Sequence, residues 1–182
     1  MTPRPAAELP RVRPAGAADR PWIAAVIAGA WASTRIVTRG RVYDALACPA
    51  LIAEIDGEER AETGAQDGAQ MTDRRAGLLT YHLDGDACEI LSLNSTREGH
   101  GAATVLLARA AELARAAGCR RVWLITSNDN LPALGFYQRR GFELVAVHRR
   151  GIDQARLVKP EIPPIGLFGI PLRDEIELEL RL

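Results

Sequence analysis

The block from Ala87 to Asn128 constrains this chain most. "ACEILSLNS" reads as a strand, residues 102–117 as a helix, and "RRVWLITSN" as a second strand. The helix is rich in alanine and leucine, which favour helix, and it ends at Gly118, a residue free to take the left-handed stop. The second strand is almost wholly apolar at its centre, as a strand covered on both faces requires. A helix between two strands brings the chain back in the same direction, so these two strands are expected to lie parallel at the centre of a sheet.

The rest of the sequence adds elements on either side. "PRVRP" at 10–14 reads as a short strand, and Asp19 with Pro21 marks a helix start. Ile23, Val26, Ile27, Ala30 and Trp31 recur at helical spacing and give that helix one apolar face. Residues 32–46 are ambiguous and are taken as a loop followed by a short helix. "ALIAEIDGE" is a strand running into a turn at Asp56-Gly57, and "GLLTYHLDGDACEILSLNS" is two strands joined at Asp84-Gly85. The polar segment 58–75 lacks periodicity and reads as a flexible hairpin loop. A short helix is expected over 131–140, closed by Gly141, then a strand "FELVAVHRR", a Pro/Gly-rich tail, and the alternating strand "RDEIELELRL" with one exposed face. The expectation is one mixed α/β domain spanning 1–182.

Charge and cysteine content narrow the class. The chain has 182 residues, 23 basic and 23 acidic, so it lacks the basic excess of a nucleic-acid binder. No run of about 18 apolar residues is present, so no membrane span is expected. Cys48, Cys88 and Cys119 have no metal-ligand spacing, and neither do His82, His100 and His148; no metal site is expected. Sparse, odd-numbered cysteines fit reduced thiols and a cytoplasmic location. Trp22, Trp31 and Trp123 read as core anchors.

Two stretches carry candidate chemistry. The first is "LNSTREGHGAATVLL", 93–107, where a strand enters a helix through a turn holding Gly99 and Gly101. The first turn of a helix offers unpaired N–H groups and the positive end of the dipole, and glycines allow close approach, so the loop suits a pyrophosphate. It equally fits a plain strand-to-helix turn. No Gly-Lys-Ser/Thr follows, and the spacing is wrong for a dinucleotide fingerprint. The second stretch is "NDNLPALGFYQRRGF", 128–142, in which Asn130, Ala133, Phe136, Tyr137, Gly141 and Phe142 are spaced N-x-x-A-x-x-F-Y-x-x-x-G-F. Asn130 can cap the helix and Gly141 can end it.

Together these motifs resemble the GCN5-related N-acetyltransferase (GNAT) family, which uses acetyl-CoA. Aligned on Leu106-Leu107, the family's Gln/Arg-x-x-Gly-x-Gly/Ala pattern falls on Glu98-Gly99-His100-Gly101-Ala102-Ala103, with matches at Gly101 and Ala103. Glu98 departs from the pattern, with Arg97 beside it as the compensating charge. The resemblance covers residues 87–145 and implies a mixed-sheet acyl-CoA N-acyltransferase fold with a V-shaped splay between two central parallel strands. It implies that the backbone of Leu91 and Leu93 pairs with the pantetheine arm. The Leu93 amide would polarise the thioester carbonyl, an oxyanion-hole role. The loop segment Glu98, Gly99, His100, Gly101, Ala102, Ala103 and Thr104 would hold the pyrophosphate, and Asn130 would contact the cofactor.

The same resemblance implies acetyl transfer to a primary amine by direct attack on the thioester. Tyr137 is the candidate acid, since an unperturbed phenol at about 10 can donate to a thiolate whose thiol titrates near 8.5; packing beside Phe136 is its structural alternative. Glu89 is the candidate base. It lies four residues before Leu93, a spacing that puts both on one face of a regular strand, and its alternative is a solvated strand glutamate. Arg35, Arg39 and Arg41 read as an acceptor-side basic group or as a solvated face. The acceptor is expected to be a small-molecule or peptide amine. A catalytically silent acyl-CoA-binding domain is the alternative function. The C-terminal strand is a candidate sheet edge for a homodimer.

Overall fold

The structure, a computed structural model, describes residues 9–55 and 73–182. In chain order the elements are β1 (Arg11–Pro14), α1 (Arg20–Trp31), β2 (Arg35–Thr38), β3 (Arg41–Asp44), β4 (Ala50–Glu54), β5 (Arg75–Asp84), β6 (Ala87–Ser95), α2 (Ala102–Ala116), β7 (Arg121–Ser127), α3 (Leu131–Gln138), β8 (Glu143–His148), α4 (Gly151–Val158) and β9 (Glu175–Arg181). The turn at Asp56-Gly57 and the hairpin segment from 58 to 72 lie outside the described residues; Arg75 already opens β5.

Seven strands form one sheet in the order β1-β4-β5-β6-β7-β9-β8, and β2 and β3 form a separate hairpin. Only β6 and β7 pair in parallel among the described strands; the other pairings are antiparallel. The fold expected from the strand–helix–strand block is therefore present, with α2 as the crossover.

Side chains alternate between two apolar clusters, one on each face of the sheet. Leu51, Ala53, Leu79, Cys88 and Ile90 pack with α2. Ile52, Leu78 and Leu91 pack with Ile23 and Ile27 of α1. α2 seats closely because Ala102, Leu106, Ala110 and Ala114, spaced by four, present a low ridge to the strands. Opposite it stands Gly77, where an added Cβ would lie 3.0 Å from Leu106 Cδ1 and 3.1 Å from Ala102 Cβ.

Four sequence expectations need correction. Residues 35–44 are not a short helix but a hairpin, turned by Arg39 and Gly40, both at positive φ. The run Ile36, Val37, Thr38, then Val42 and Tyr43, is β-branched and aromatic, and that composition favours a strand. The segment after β8 forms α4, whose last turn is tied to β2 by Lys159 Nζ donating to the Arg35 carbonyl at 2.6 Å. The C-terminal strand is not an edge: β9 lies between β7 and β8 and pairs with both. Nor is its polar face exposed, since Glu175 and Glu177 are buried. Pairing on both sides removes the free backbone groups that a partner strand would need.

Candidate functional site

The parallel ladder between β6 and β7 ends early. Its last rung is Ile90 with Leu124, yet β6 runs on to Ser95 and β7 to Ser127. Past that rung, the edges of the two strands that face each other carry no ladder bonds. At the same level β6 bulges: Thr80 pairs with Ser92 and Tyr81 with Ile90, leaving Leu91 without a partner in β5. A bulge bends its strand and raises the local twist, and the ladder to β7 stops at this level. A narrow cavity of about 70 Å³ opens in the gap, lined among others by Ile90, Leu91, Ile125, Ser127 and Asn130.

The bulge also resets the facing of β6. Leu91 packs with the α1-side cluster, whereas Leu93, two residues on, packs with the α2-side cluster. Glu89 lies on the α1 side, beside Tyr43. The expectation that Glu89 and Leu93 share a face is thus wrong, because one inserted residue breaks the two-residue period between them.

Glu89 is 2% exposed and lines a second, larger cavity of about 500 Å³ on the α1 face. It is not a solvated strand residue. The Tyr43 hydroxyl donates to its Oε2 at 3.0 Å, while Oε1 has no hydrogen-bond partner. Burial pushes the carboxyl above the ordinary glutamate range, and the Tyr43 hydrogen bond and the nearby Thr38 hydroxyl draw it partly back. Thr38 is close enough for that influence, but its Oγ1 makes no hydrogen bond of its own. Thr38 also borders both cavities.

The three arginines of the hairpin region all meet acids of this chain. Arg39 reaches Glu177 at 3.3 Å, Arg41 reaches Asp84 at 3.0 Å, and Arg35 lies 3.9 Å from Glu161. Arg121 is held by Glu179 at 2.9 Å and stacks beside Trp123, which lines the larger cavity. Trp31 lines the narrow cavity and is 42% exposed, so two of the three tryptophans border cavities and do not anchor the core.

At the loop, Gly99 and Gly101 both take positive φ, +79° and +76°, where a side chain would be strained. Among the described residues, the amides of Glu98, Gly99, His100 and Gly101 donate to no backbone carbonyl, and Ala102 and Ala103 open α2. Thr104 N–H instead bonds the Gly101 carbonyl at 2.9 Å. Glu98 is exposed, and the His100 ring folds back onto the Glu98 carbonyl at 2.8 Å. Arg140 reaches the loop from the end of α3: its Nη2 donates to Thr104 Oγ1 at 2.6 Å, and its guanidinium sits 3.6 Å from the Phe136 ring centroid. Arg140 was not singled out from sequence, although it adjoins the Phe136-Tyr137 motif.

Asn130 caps α3 as expected, accepting from Ala133 N–H at 3.2 Å, and it lines the narrow cavity. Tyr137 packs edge-on to Phe136 and against Phe142, on the α2 side of the sheet. Burial raises its phenol well above the usual range. Among the described residues its hydroxyl has no hydrogen-bond partner. Glu175, also missed from sequence, is 2% exposed, lines the narrow cavity and accepts the Arg39 N–H at 3.3 Å. Among the described residues no cluster of His, Cys, Asp and Glu could hold a metal ion, and no helix is long and apolar enough to cross a membrane.

Comparison with known proteins gives a consistent picture. The model of the acetyltransferase (GNAT) family matches residues 41–142. Two uncharacterised proteins of Bacillus subtilis strain 168, YdhI and YxbD, are 48% identical over 100 residues and 46% identical over 102. Those matches cover 55% and 56% of this chain but only 62% and 64% of the relatives' own lengths. Among solved structures, a Bacillus subtilis acetyltransferase in complex with CoA superposes with a TM-score of 0.61 at 17% identity, covering 95% of this chain and 99% of that one. A GNAT acetyltransferase from Elizabethkingia anophelis with acetyl-CoA bound gives 0.63 at 15% identity, covering 95% and 98%. At such identities the likeness is one of fold.

Proposed function

From the premise that the chain belongs to the acetyltransferase (GNAT) family, we propose that it moves an acetyl group from acetyl-CoA to a primary amine by direct attack. The observation that carries this reading is the ladder that stops at Ile90 and Leu124 while both strands continue. Unpaired strand edges suit an extended pantetheine arm, which can bond to them as an added strand. The free amides of residues 98–101 and the start of α2 suit the pyrophosphate. Arg140, beside Thr104, supplies there the positive charge that Glu98 does not.

The candidate acid and base lie on opposite faces of the sheet. Glu89, on the α1 side, takes a proton from the incoming ammonium, and its raised pKa makes it the more basic carboxylate for that task. The neutral amine attacks the thioester carbon, whose oxygen charge the Leu93 amide stabilises. The C–S bond then breaks, and Tyr137, on the α2 side, protonates the thiolate. The second proton lost by the amine nitrogen restores the phenol. Burial keeps Tyr137 protonated at working pH, as a donor must be.

The apolar surroundings of Tyr137 also favour a second reading, a silent acyl-CoA-binding domain. Calorimetric titration with acetyl-CoA, followed by a thiol-release screen of amine acceptors, tests both. Binding with turnover supports the enzyme, binding without turnover on any amine supports the silent domain, and no binding overturns both.

A further inference from the structure

Most of the side chains that line the narrow cavity are apolar. Trp31, Ile36, Val37, Ile125 and Ile152 come to it from α1, β2, β7 and α4. Glu175, the carboxylate on this lining, turns both oxygens to the Arg39 N–H, at 3.3 Å each. Such walls favour a hydrocarbon group over a charged one. Position says which part of a CoA thioester would meet them. The glycine loop follows the C-terminal end of β6, and the stretch from Leu91 to Ser95, unpaired with β7, lies between that loop and the last rung at Ile90. An arm that starts at the loop and runs along this edge brings its far end, the acyl group, to Ile90 and Leu91. Both residues line the cavity.

Size then sets a limit. An apolar cavity of roughly 150 Å³ takes a benzene, so about 25 Å³ goes with each heavy atom. The volume here, about 70 Å³, therefore takes about three: the carbon, oxygen and methyl of an acetyl group. The walls are also fixed. The chain enters α4 at Arg150, whose N–H is held by Asp174 Oδ1 at 2.8 Å. Gly151 sits so close to β9 that an added Cβ would lie 2.8 Å from Glu175 Oε2. Ile152 N–H donates to the Arg173 carbonyl at 3.0 Å. Past the other end of α4, Lys159 Nζ holds the carbonyl of Arg35, next to Ile36 and Val37. The α4 and β2 walls are thus tied to each other, and α4 is tied to β9, so they do not part readily for a longer chain.

We infer that Ile152 of α4, together with Ile36 and Val37 of β2, sets the length of acyl group the chain accepts and holds it at acetyl. This rests on the acetyl-transfer reading, which supplies a CoA thioester, and adds which thioesters fit. The two further methylenes of a butyryl group exceed the volume and press on these walls. The larger cavity gives a longer chain no apolar escape. It shares Thr38 with the narrow one, but charged side chains make up most of its lining, among them Arg39, Arg41, Asp84 and Arg121.

The experiment is calorimetric titration of the full chain with free CoA, acetyl-CoA and butyryl-CoA. Each thioester's affinity is divided by that of free CoA on the same sample, so that losses of fold or of nucleotide binding cancel. The wild type is expected to bind butyryl-CoA about tenfold or more weakly than acetyl-CoA, the lower end of what one methylene costs in a fitted apolar pocket. Ile152→Ala opens the cavity and should bring the two thioesters within about threefold of each other. Ile152→Phe fills it and should weaken acetyl-CoA about tenfold relative to free CoA. Thermal melts show which variants fold; if Ile152→Ala does not, Val37→Ala takes its place with the same expectation. Equal affinity for the two thioesters in the wild type, or an unchanged ratio in the opened variant, overturns the inference and leaves the acetyl-transfer reading standing. No binding of any CoA species overturns that reading, and the acyl limit with it.

Discussion

The Tyr43 hydroxyl donates to Glu89 Oε2 at 3.0 Å, joining the β2–β3 hairpin to the central strand beside the larger cavity that Glu89 lines. That bond favours the ionised carboxylate, whereas burial disfavours it, and burial is the larger influence. If Glu89 is the base, kcat/KM should fall on the acid side with a midpoint above the ordinary glutamate value of about 4.3. Tyr43→Phe should move that midpoint upward. A midpoint that stays put in Tyr43→Phe would remove Glu89 from the acid limb.

The same raised carboxyl carries a stability signature. The folded state keeps the Glu89 proton at pH values where the unfolded chain has lost it, so the folded state binds more protons there. Its contribution to stability is full below about pH 4.3 and is lost as pH rises through the raised folded value. Glu89→Gln should therefore melt higher than wild type at pH 7, and the gap should close on acidification. A gap that widens in acid would mean the carboxylate is stabilised in the fold.

Tyr137→Phe separates catalysis from packing. Because the phenol hydroxyl has no partner among the described residues and the ring sits among Phe136, Phe142 and the α2-side core, the variant should fold as well as wild type. Turnover should still drop on the order of a hundredfold, with acetyl-CoA binding little changed. Undiminished turnover in steady-state assays would end the acid assignment.

Gly101 tests the anion cradle. At φ +76° any side chain is strained, so Gly101→Ala is expected to cost about 1–2 kcal/mol of stability. Gly101→Glu adds a negative charge at the start of α2 and should weaken acetyl-CoA binding at least tenfold beyond the alanine variant. Calorimetry on both variants makes the comparison, and equal affinities would take the pyrophosphate away from this loop.

Gly77 tests how α2 is seated. A Cβ there would press on Leu106 Cδ1 at 3.0 Å, on Ala102 Cβ at 3.1 Å and on the Asn94 carbonyl at 3.1 Å. Gly77→Val should destabilise the fold by about 1–3 kcal/mol through overpacking. Because Ala102 opens α2, acetyl-CoA affinity should fall as well. Denaturant unfolding that shows no loss would mean the helix moves freely over β5.

The sequence by itself determined the centre of this protein. The strand–helix–strand block fixed a parallel pair, because a helical crossover reverses the chain twice. Gly118 and Gly141, read as left-handed helix stops, are indeed at positive φ, and Gly99 and Gly101, read only as places of close approach, take it too, since only the missing Cβ makes that conformation cheap. The motif from Asn130 to Phe142 marked a capped helix, because capping is a local bond between neighbours. The site's other half was decided by tertiary structure. A single unpaired residue at Leu91 reversed the facing of Leu93 relative to Glu89, and a bulge depends on the partner strand. Glu175 and Glu177 read as exposed from their alternation, yet they are buried because β9 inserts between β7 and β8. Thr38, Tyr43 and Arg140 gained their places from contacts 36 to 46 residues away in sequence or from cavities that several elements share. Local pattern records which face a residue prefers; what covers that face is settled only when distant segments meet.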